Sequence, residues 1–444
     1  MTNNEINFKI FDLIGIGIGA FNLGLAALMQ KTNLTYKFLD LKESFDWHDG
    51  MLLENAKLQV HFLKDLASCV DPANPYTFLS YLSEKGRIYQ FLNRKQSVVS
   101  RHEFSDYFKW AAAQIPNLCF GEKILDVRYS NNLFNIITKK SKFFAKNIVV
   151  GTGRTPYIPI RFREFLSKNF FHNYKFKQSL KELDFANKRI AIIGGGQSGA
   201  EVFDTLISFQ SKPKEIIWAS KRVNFQTLED SCFANEFYTP NYVKYFYSLP
   251  SNLREQKLDE QRLTSDGITQ ELSNEIYNKL YELKYLRPST MSFELLPHQE
   301  LSRVIKKGDG YLITLFNKEQ GDLTEYTADI VILATGYQSC ISECLKNLPL
   351  GISNTKSPSI NIDYSVNWRC SSTNKIFLQN GARLTHGVAD PNLSLAAWRN
   401  AIIINSLSNE QIYKVDTCEP IVNINQFNIL QKSSLDANFS LEAA

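Results

Sequence analysis

Glycine, where a chain passes from an apolar run into a helix, suits one kind of chemistry: it lets backbone N–H groups close on a phosphate that a Cβ would block. The run IAIIGGGQSGA at 190–200 offers that arrangement. Gly194, Gly196 and Gly199 keep the strict G-x-G-x-x-G spacing, with Gly195, Gln197 and Ser198 in the same turn. A second run, LIGIGIGAFNL at 13–23, supplies Gly15, Gly17 and Gly19, with Ala20 where the third glycine would fall. One such turn can serve merely to pack a helix on a sheet, but two, each between strand and helix, point to two bound dinucleotides.

The residues after each turn separate the ligands. About 20 residues past the first glycines a strand ends at Asp40, whose carboxylate suits a ribose hydroxyl pair, as in FAD or NAD. The strand after the second turn ends in Ser220, Lys221 and Arg222, cations that could neutralise a 2′-phosphate, which favours NADPH over NADH. The plain alternative for Lys221 and Arg222 is an ordinary solvated loop. FAD and NADPH held by one chain describe a flavin-dependent oxidoreductase.

Each turn needs a βαβ unit to hold it. In the first, an apolar run at 11–14 precedes the glycines, a helical pattern follows at 23–29, and TYKFLD at 35–40 has strand character. The second runs from RIAII at 189–193 through a helix over about 200–208 to EIIWAS at 215–220. NIVVGTGRTPYIP (147–159) and DIVILATGYQS (329–339) each predict a buried strand entering a tight turn. LSNEIYNKLYEL at 272–283 has helical spacing, and PNLSLAAWRNAIIINSL at 391–407 predicts a long helix. The expected fold is α/β, with two Rossmann-like dinucleotide-binding domains and a small helical substrate insertion. Residues 1–170 and 325–444 are assigned to the FAD domain, 171–232 and 291–324 to the NADPH domain, and 233–290 to the insertion.

Composition narrows the class. With 444 residues, 44% hydrophobic and 21% charged, the chain is long enough for two or three domains. A net charge of only +5, with scattered basic residues, argues against nucleic acid or an acidic membrane as partner. Seven cysteines at irregular spacings fit reduced thiols in the cytoplasm, and Cys340 and Cys344 have no second pair or nearby His to complete a zinc set, so no metal is expected. The apolar stretch 14–29 is too short and too glycine-rich to span a bilayer.

The motifs then carry a resemblance. SFDWHDGMLLENAKLQVHFLKDLASCVDPANPYTFLSYL at 44–82, with GGGQSGAE, FANEFYTP, TSDGIT, ATGYQS and THGVADPNLSL, resembles the microbial N-hydroxylating flavoprotein monooxygenases that act on lysine and ornithine for hydroxamate siderophores. The likeness runs from about Asp12 to Arg399 and is strongest to the lysine N6-monooxygenase branch. It implies that Asp40 through His48, with Trp47 and His48 as the WH pair, line FAD, and that Gln59 sits beside the flavin as a catalytic residue. It implies that Lys64 pairs with a substrate carboxylate, and that Asn235 binds substrate and helps to place the nicotinamide, in a catalytic role. Asn392 and Leu393 fall at flavin contacts, Ser394 at a substrate contact, and Gly194 to Ser198 with Lys221 at NADPH positions. Where ornithine enzymes carry N-x-N-Y-S to hold the side-chain amine, this chain reads LTSDGIT at 263–269, which leaves Thr264, Ser265 or Asp266 for that place.

The family chemistry has NADPH reduce FAD, the reduced flavin capture O₂ as a C4a-hydroperoxide, and a primary amine take the distal oxygen as an N-hydroxylamine. No side chain has to be a nucleophile, and the six dispersed histidines suggest no triad; His386 reads as a packing residue. L-lysine fits if Lys64 meets a carboxylate; ornithine, cadaverine, putrescine and histamine are the other amines to weigh. A broad-range Baeyer–Villiger type lacks its F-x-G-x-x-H-x-x-x-W signature here, and a non-catalytic flavin redox sensor would not need the substrate positions. The resemblance also implies a homo-oligomer, with a tetramer favoured.

Overall fold

The seven residues IFDLIGI form β1 (Ile10–Ile16), whose apolar side chains are buried over both faces at its C-terminal end. A strand buried on both faces is what a parallel sheet covered by helices requires. Helix α1 (Ala20–Met29) starts directly at the glycine turn, with Gly19 as its N-cap, and nine of its ten residues are buried. Its Leu and Ala content suits a helix surrounded by protein, and Gly24 lets the Asn400 side chain approach to 2.9 Å of where a Cβ would stand. β2 (Tyr36–Leu39) then pairs in parallel with β1, and β3 (Lys142–Val150) pairs in parallel on its other side. The seven-stranded sheet is extended by Leu118–Cys119 beyond β2 and by the antiparallel strands Leu133–Thr138 and Ile124–Ser130 beyond β3, while Ile376–Leu378 also pairs with β3. The computed structural model describes residues 9–287, 290–339, 342–350, 358–370, 373–416 and 419–423. Cys340 and Cys418 therefore lie outside the described residues.

The second βαβ unit comprises β4 (Arg189–Ile193), α2 (Gln197–Ile207) and β5 (Glu215–Ala219). It builds a five-stranded, wholly parallel sheet in the order 292–296, β5, β4, β6 (Ile330–Leu333) and 170–172. A three-stranded antiparallel sheet, 299–307, 310–317 and 323–328, packs against it. The sequence assignment of everything from 325 onward to the first domain needs correction. All four residues of β6 are buried and hydrogen-bonded between β4 and the 170–172 strand, so the chain returns to the first sheet only after Leu333. An apolar IVIL run is indistinguishable in pattern from the strands of either sheet, so its partner is a tertiary choice.

The helical insertion is not an independent unit either. Its helices Pro240–Ser248 and Ser251–Glu260 put Tyr242, Val243, Phe246 and Leu258 into the core that also holds α1. Helix Gln270–Tyr281, by contrast, gives Ile276 to the core under β4. The insertion straddles the two sheets, and the short helix Leu263–Asp266 lies at the crossing. The long helix expected from 391 begins later, as α3 (Ala396–Ser408), because Asn392 accepts the Ser394 N–H at 2.8 Å and starts a 3₁₀ turn over Leu393–Leu395. α3 packs on α1 through Arg399, fully buried, which pairs with Asp390 at 3.1 Å and lies over the rings of Phe21 and Tyr364.

Candidate active site

The two glycine turns superimpose through four hydrogen bonds. Gly17 N–H donates to Leu39 O and Gly194 N–H to Ala219 O, each at 2.8 Å, which ties each turn to the end of the next strand in its unit. Gly151 N–H donates to Ile16 O and Ala334 N–H to Ile193 O, again at 2.8 Å, and Leu23 and Ala200 close the first helical bonds onto Gly19 and Gly196. Gly17, Gly19 and Asn22 are thus the counterparts of Gly194, Gly196 and Gly199. The sequence alignment of Gly15, Gly17 and Ala20 with the motif is corrected by two residues. Gly15 sits inside β1, where a Cβ would lie 1.9 Å from the Phe38 ring, so its smallness serves sheet packing and not a ligand.

Each position has its own reason to be glycine. Gly17 and Gly194 have φ of +90° and +134°, and an added Cβ would stand 2.7 Å from Gly151 O or 2.0 Å from Ala334 O. Gly19 and Gly196 have ordinary extended backbone, and the nearest protein atoms to an added Cβ are 3.8 and 3.6 Å away. Protein packing does not demand glycine at these two helix N-termini. The space left there, with the helix N–H groups facing it, fits a pyrophosphate in each turn. Asn22, where the motif has its third glycine, donates to Gly17 O at 2.8 Å and fills the room beneath Gly151.

Asp40 follows β2, its two carboxylate oxygens accepting Ile18 N–H at 2.6 Å and Lys42 N–H at 2.8 Å. Through Ile18 the carboxylate holds the first turn. Its counterpart Ser220 accepts Arg222 N–H, at 3.2 Å, and among the described residues its side chain accepts no other. Lys221 is exposed, whereas Arg222 is half-buried, reaches over the second turn to within 3.8 Å of a Gly196 Cβ, and donates to Asp266 O at 2.6 Å. Ser198 lies in the first turn of α2, and Gln197 bridges outward from it, accepting Thr269 N–H at 2.8 Å and donating to Glu201 at 2.9 Å. Glu201 also receives a two-pronged pair of bonds from Arg101 at 2.7 and 2.9 Å, joining α2 to the first body.

Against α2 lies a cleft of about 580 Å³ whose walls include Leu58, Gln59, Gln197, Glu201 and Thr269. Next to it a pocket of about 210 Å³ gathers Gln59, Lys64, Asn235, Thr264, Ser265, Asn392 and Ser394. These seven span residues 59 to 394 in the chain: Asn235, Thr264 and Ser265 come from the insertion, and the others from before and after it. Gln59 lines both cavities, and its Nε2 is buried with no hydrogen-bond partner among the described residues. An unmet buried donor costs about 1–3 kcal/mol, so the site is built for a further acceptor beside Gln59. Asn392 Oδ1 accepts both the N–H and the hydroxyl of Ser394, at 2.8 and 2.7 Å, and Leu393 follows half-buried at the same turn.

Of the three residues left open at the amine position, Thr264 and Ser265 line the pocket and Asp266 does not. The Asp266 carboxylate lies 3.8 Å from Arg383, toward the second turn. Thr264 is buried, its hydroxyl donates to Gln261 O at 2.8 Å, and its oxygen has the Tyr238 hydroxyl as a long donor at 3.4 Å, which leaves one lone pair for a donor in the pocket. Burial pulls the Lys64 ammonium below its ordinary pKa, and the charges of Cys69 and Asp230 act in the opposite sense. Trp47 packs edge-on against Phe108 at 5.2 Å and against His48 at 4.7 Å, within the first core. Burial, with Arg101 and Lys42 adding to it, pushes His48 down to about 4, so it stays neutral. His386 is fully buried, stacks on Tyr364 at 4.1 Å and is pushed by burial to about 3, as a packing residue would be.

Sequence reasoning missed Asp230, Tyr238 and His61, which also line the pocket, and Asn22 in the first turn. Asn22 was accessible as the third position of G-x-G-x-x-N counted from Gly17. Asp230 had no signal beyond its place five residues before Asn235.

Comparison with known proteins agrees with this architecture. The profile of the L-lysine 6-monooxygenase/L-ornithine 5-monooxygenase family matches residues 9–339. The L-lysine N6-monooxygenase of Escherichia coli is 38% identical over 411 residues, covering 91% of this chain and 96% of that protein. The FAD-bound cadaverine monooxygenase of the desferrioxamine pathway from Erwinia amylovora superimposes with a TM-score of 0.88 at 28% identity, covering 94% of this chain and 98% of that one. The ornithine N-hydroxylase of Kutzneria sp. 744, solved with reduced FAD, NADP⁺ and L-ornithine, gives 0.83 at 25% identity, covering 90% and 99%.

Proposed function

The chain belongs to the L-lysine 6-monooxygenase/L-ornithine 5-monooxygenase family, and from that premise we propose that it hydroxylates the side-chain nitrogen of L-lysine. It is an FAD- and NADPH-dependent N-hydroxylating monooxygenase of the siderophore type, which consumes O₂ and acts on a small primary amine. The balance is R–NH₂ + O₂ + NADPH + H⁺ → R–NHOH + H₂O + NADP⁺. When bound, FAD supplies the oxygen activation and the transfer of one oxygen atom to nitrogen.

The observation that carries the choice of lysine is the pocket that gathers Lys64 with Thr264 and Ser265. In this reading Lys64 receives the carboxylate and the hydroxyls of Thr264 and Ser265 receive the amine, and Gln59 borders both pocket and cleft. Asn392 and Ser394 line the same pocket and would hold the flavin side of it, as the family resemblance implies, and Gly19 and Gly196 would admit the two pyrophosphates. The amine must be neutral to take oxygen. Freeing an alkyl ammonium of pKa ~10.4 at pH 7 costs about 4.6 kcal/mol, which a desolvated pocket reduces. A hydroxyl beside the amine allows this, while a facing carboxylate would hold the proton, so Asp266 is better turned toward Arg383. Ser231 and Asp230 precede a loop with the free thiol Cys232, and this and the other exposed free cysteines, Cys69 and Cys370, suit a cytoplasmic setting.

Cadaverine is the second reading, since Asp230 in the same pocket could meet a distal ammonium. It is disfavoured by Lys64, whose like charge would face that ammonium. Purified protein with FAD and NADPH is offered lysine, ornithine, cadaverine, putrescine and histamine, with hydroxylamine measured against NADPH oxidised. Lysine should couple best, and Lys64→Ala should raise its KM about tenfold or more with flavin reduction retained. Coupled turnover of a diamine alone, or an unchanged lysine KM in Lys64→Ala, rejects the lysine assignment.

A further inference from the structure

A primary amine carrying an α-amino acid head group brings two opposite charges to the far end of the pocket. Lys64 answers the carboxylate, and the remaining charge needs an acceptor. Two side chains ahead of helix Pro240–Ser248, Asp230 in a loop and Asn235 in the 3₁₀ turn Ala234–Tyr238, bear on it. Asp230 and Asn235 both line the pocket, and Asn235 Nδ2 donates to Asp230 Oδ1 at 2.9 Å, with Asp230 O a further 3.4 Å acceptor.

An asparagine amide has two ends of opposite hydrogen-bonding sense, and its neighbours decide which end faces a ligand. Both neighbours of Asn235 on the Asp230 side are oxygens, one of them ionised. Turning the amide over would set its carbonyl against a carboxylate with no proton between them. The NH₂ is therefore committed to Asp230, and the carbonyl oxygen is the end left for the pocket. Asp230 also lies close enough for its charge to act on Lys64, the cation of the same pocket.

We infer that Asp230 is a positioning and specificity-determining residue for the α-ammonium of the substrate: it turns the carbonyl of Asn235 toward that ammonium and sets a negative charge opposite Lys64. Resting on the amino-acid reading above, this divides the head group between two readers, Lys64 for the carboxylate and the Asp230–Asn235 pair for the ammonium. Lysine presents both charges, 6-aminohexanoate the carboxylate alone, and cadaverine an ammonium alone. Asp230 is exposed, and Asn235 is its side-chain partner in the structure, so its replacement leaves the core untouched.

The test compares these three compounds across wild type, Asp230→Asn, Asp230→Ala and Lys64→Ala. Asp230→Ala should raise KM for L-lysine about tenfold, as expected for one charge-assisted contact, with a smaller change in kcat. The same variant should leave the apparent affinity for 6-aminohexanoate within about twofold, because that compound has no α-ammonium to lose. Asp230→Asn keeps an acceptor for Asn235 without the charge, and should fall between wild type and Asp230→Ala. Lys64→Ala should weaken lysine and 6-aminohexanoate alike. If Asp230→Ala weakens both carboxylates equally, or neither, the role given to Asp230 is overturned while the lysine assignment stands. If the wild type couples cadaverine and not lysine, the lysine assignment itself falls and takes this inference with it.

Discussion

Gly17 and Gly194 leave their strands with positive φ, donate to the end of the next strand at the same 2.8 Å, and pass beneath a third segment, Gly151 in one unit and Ala334 in the other. Beyond those shared bonds the two turns are filled differently. The first has Asn22 where the second has Gly199, and Asp40 where the second has Ser220. Asp40 grips the first turn through Ile18 N–H, while its other oxygen accepts Lys42 N–H just beyond the strand, and Asn22 adds a bond to Gly17 O, so the first turn is fastened at two points. The second is fastened at Gly194 O by the Trp218 indole N–H at 2.9 Å but has no carboxylate gripping it, since Ser220 accepts Arg222 N–H outside the turn, and its remaining polar reach is outward, through Gln197 to Thr269 and Glu201. A cofactor that stays bound through turnover suits the first construction. A cosubstrate that must enter and leave suits the second, whose turn is linked by Gln197 to Thr269, just after the pocket residues Thr264 and Ser265.

The largest effects should come from Gly17→Ala and Gly194→Ala. Each forces a side chain into a conformation it rarely takes and against a backbone oxygen, at a cost of about 2–5 kcal/mol. Gly17→Ala should yield protein that does not retain FAD. Gly194→Ala should keep yellow flavin but lose its reduction by NADPH; equal loss of FAD in both would mean that the turns are not separately assigned.

Gly19→Ala and Gly196→Ala should act on ligands and spare the fold. The nearest protein atoms lie 3.8 and 3.6 Å from the added Cβ, so apo-protein stability should change by no more than about 1 kcal/mol. FAD affinity in the one and NADPH KM in the other should worsen about tenfold or more, since the methyl occupies the phosphate's room. A melting temperature that drops sharply without ligand would show the glycines to be packing residues.

Smallest is the difference between Asp40→Ala and Ser220→Ala. Asp40→Ala leaves Ile18 and Lys42 N–H without their acceptor and should cost about 1–3 kcal/mol with weaker FAD retention, whereas Ser220→Ala should cost about 0.5–1 kcal/mol. Thermal melting of the two variants with and without added FAD decides this, and equal losses would remove the asymmetry between the turns.

Much of this was legible before any coordinates. Local pattern is enough to recognise strand, glycine turn and helix, because each depends on neighbours a few residues apart. The register of the first turn was not legible in this way. LIGIGIGAFNL contains three glycines two apart, and only the 2.8 Å bond from Gly17 to Leu39 O shows where the strand stops. β6 was visible as a strand but not as a member of the second sheet, since burial on both faces looks the same in either.

By itself, then, the sequence determined two nucleotide turns, the acidic and basic residues that follow them, and the motif residues Gln59, Lys64, Asn235 and Ser394. Their types and short spacings are properties of the chain alone. Only the tertiary structure decided that these residues share one pocket, that Thr264 and Ser265 enter it while Asp266 turns to Arg383, and that Asp230 holds the amide of Asn235. Those outcomes depend on how the helices of the insertion divide their apolar faces between two cores. Packing of that kind joins residues hundreds of positions apart, and no local pattern encodes which of them will meet.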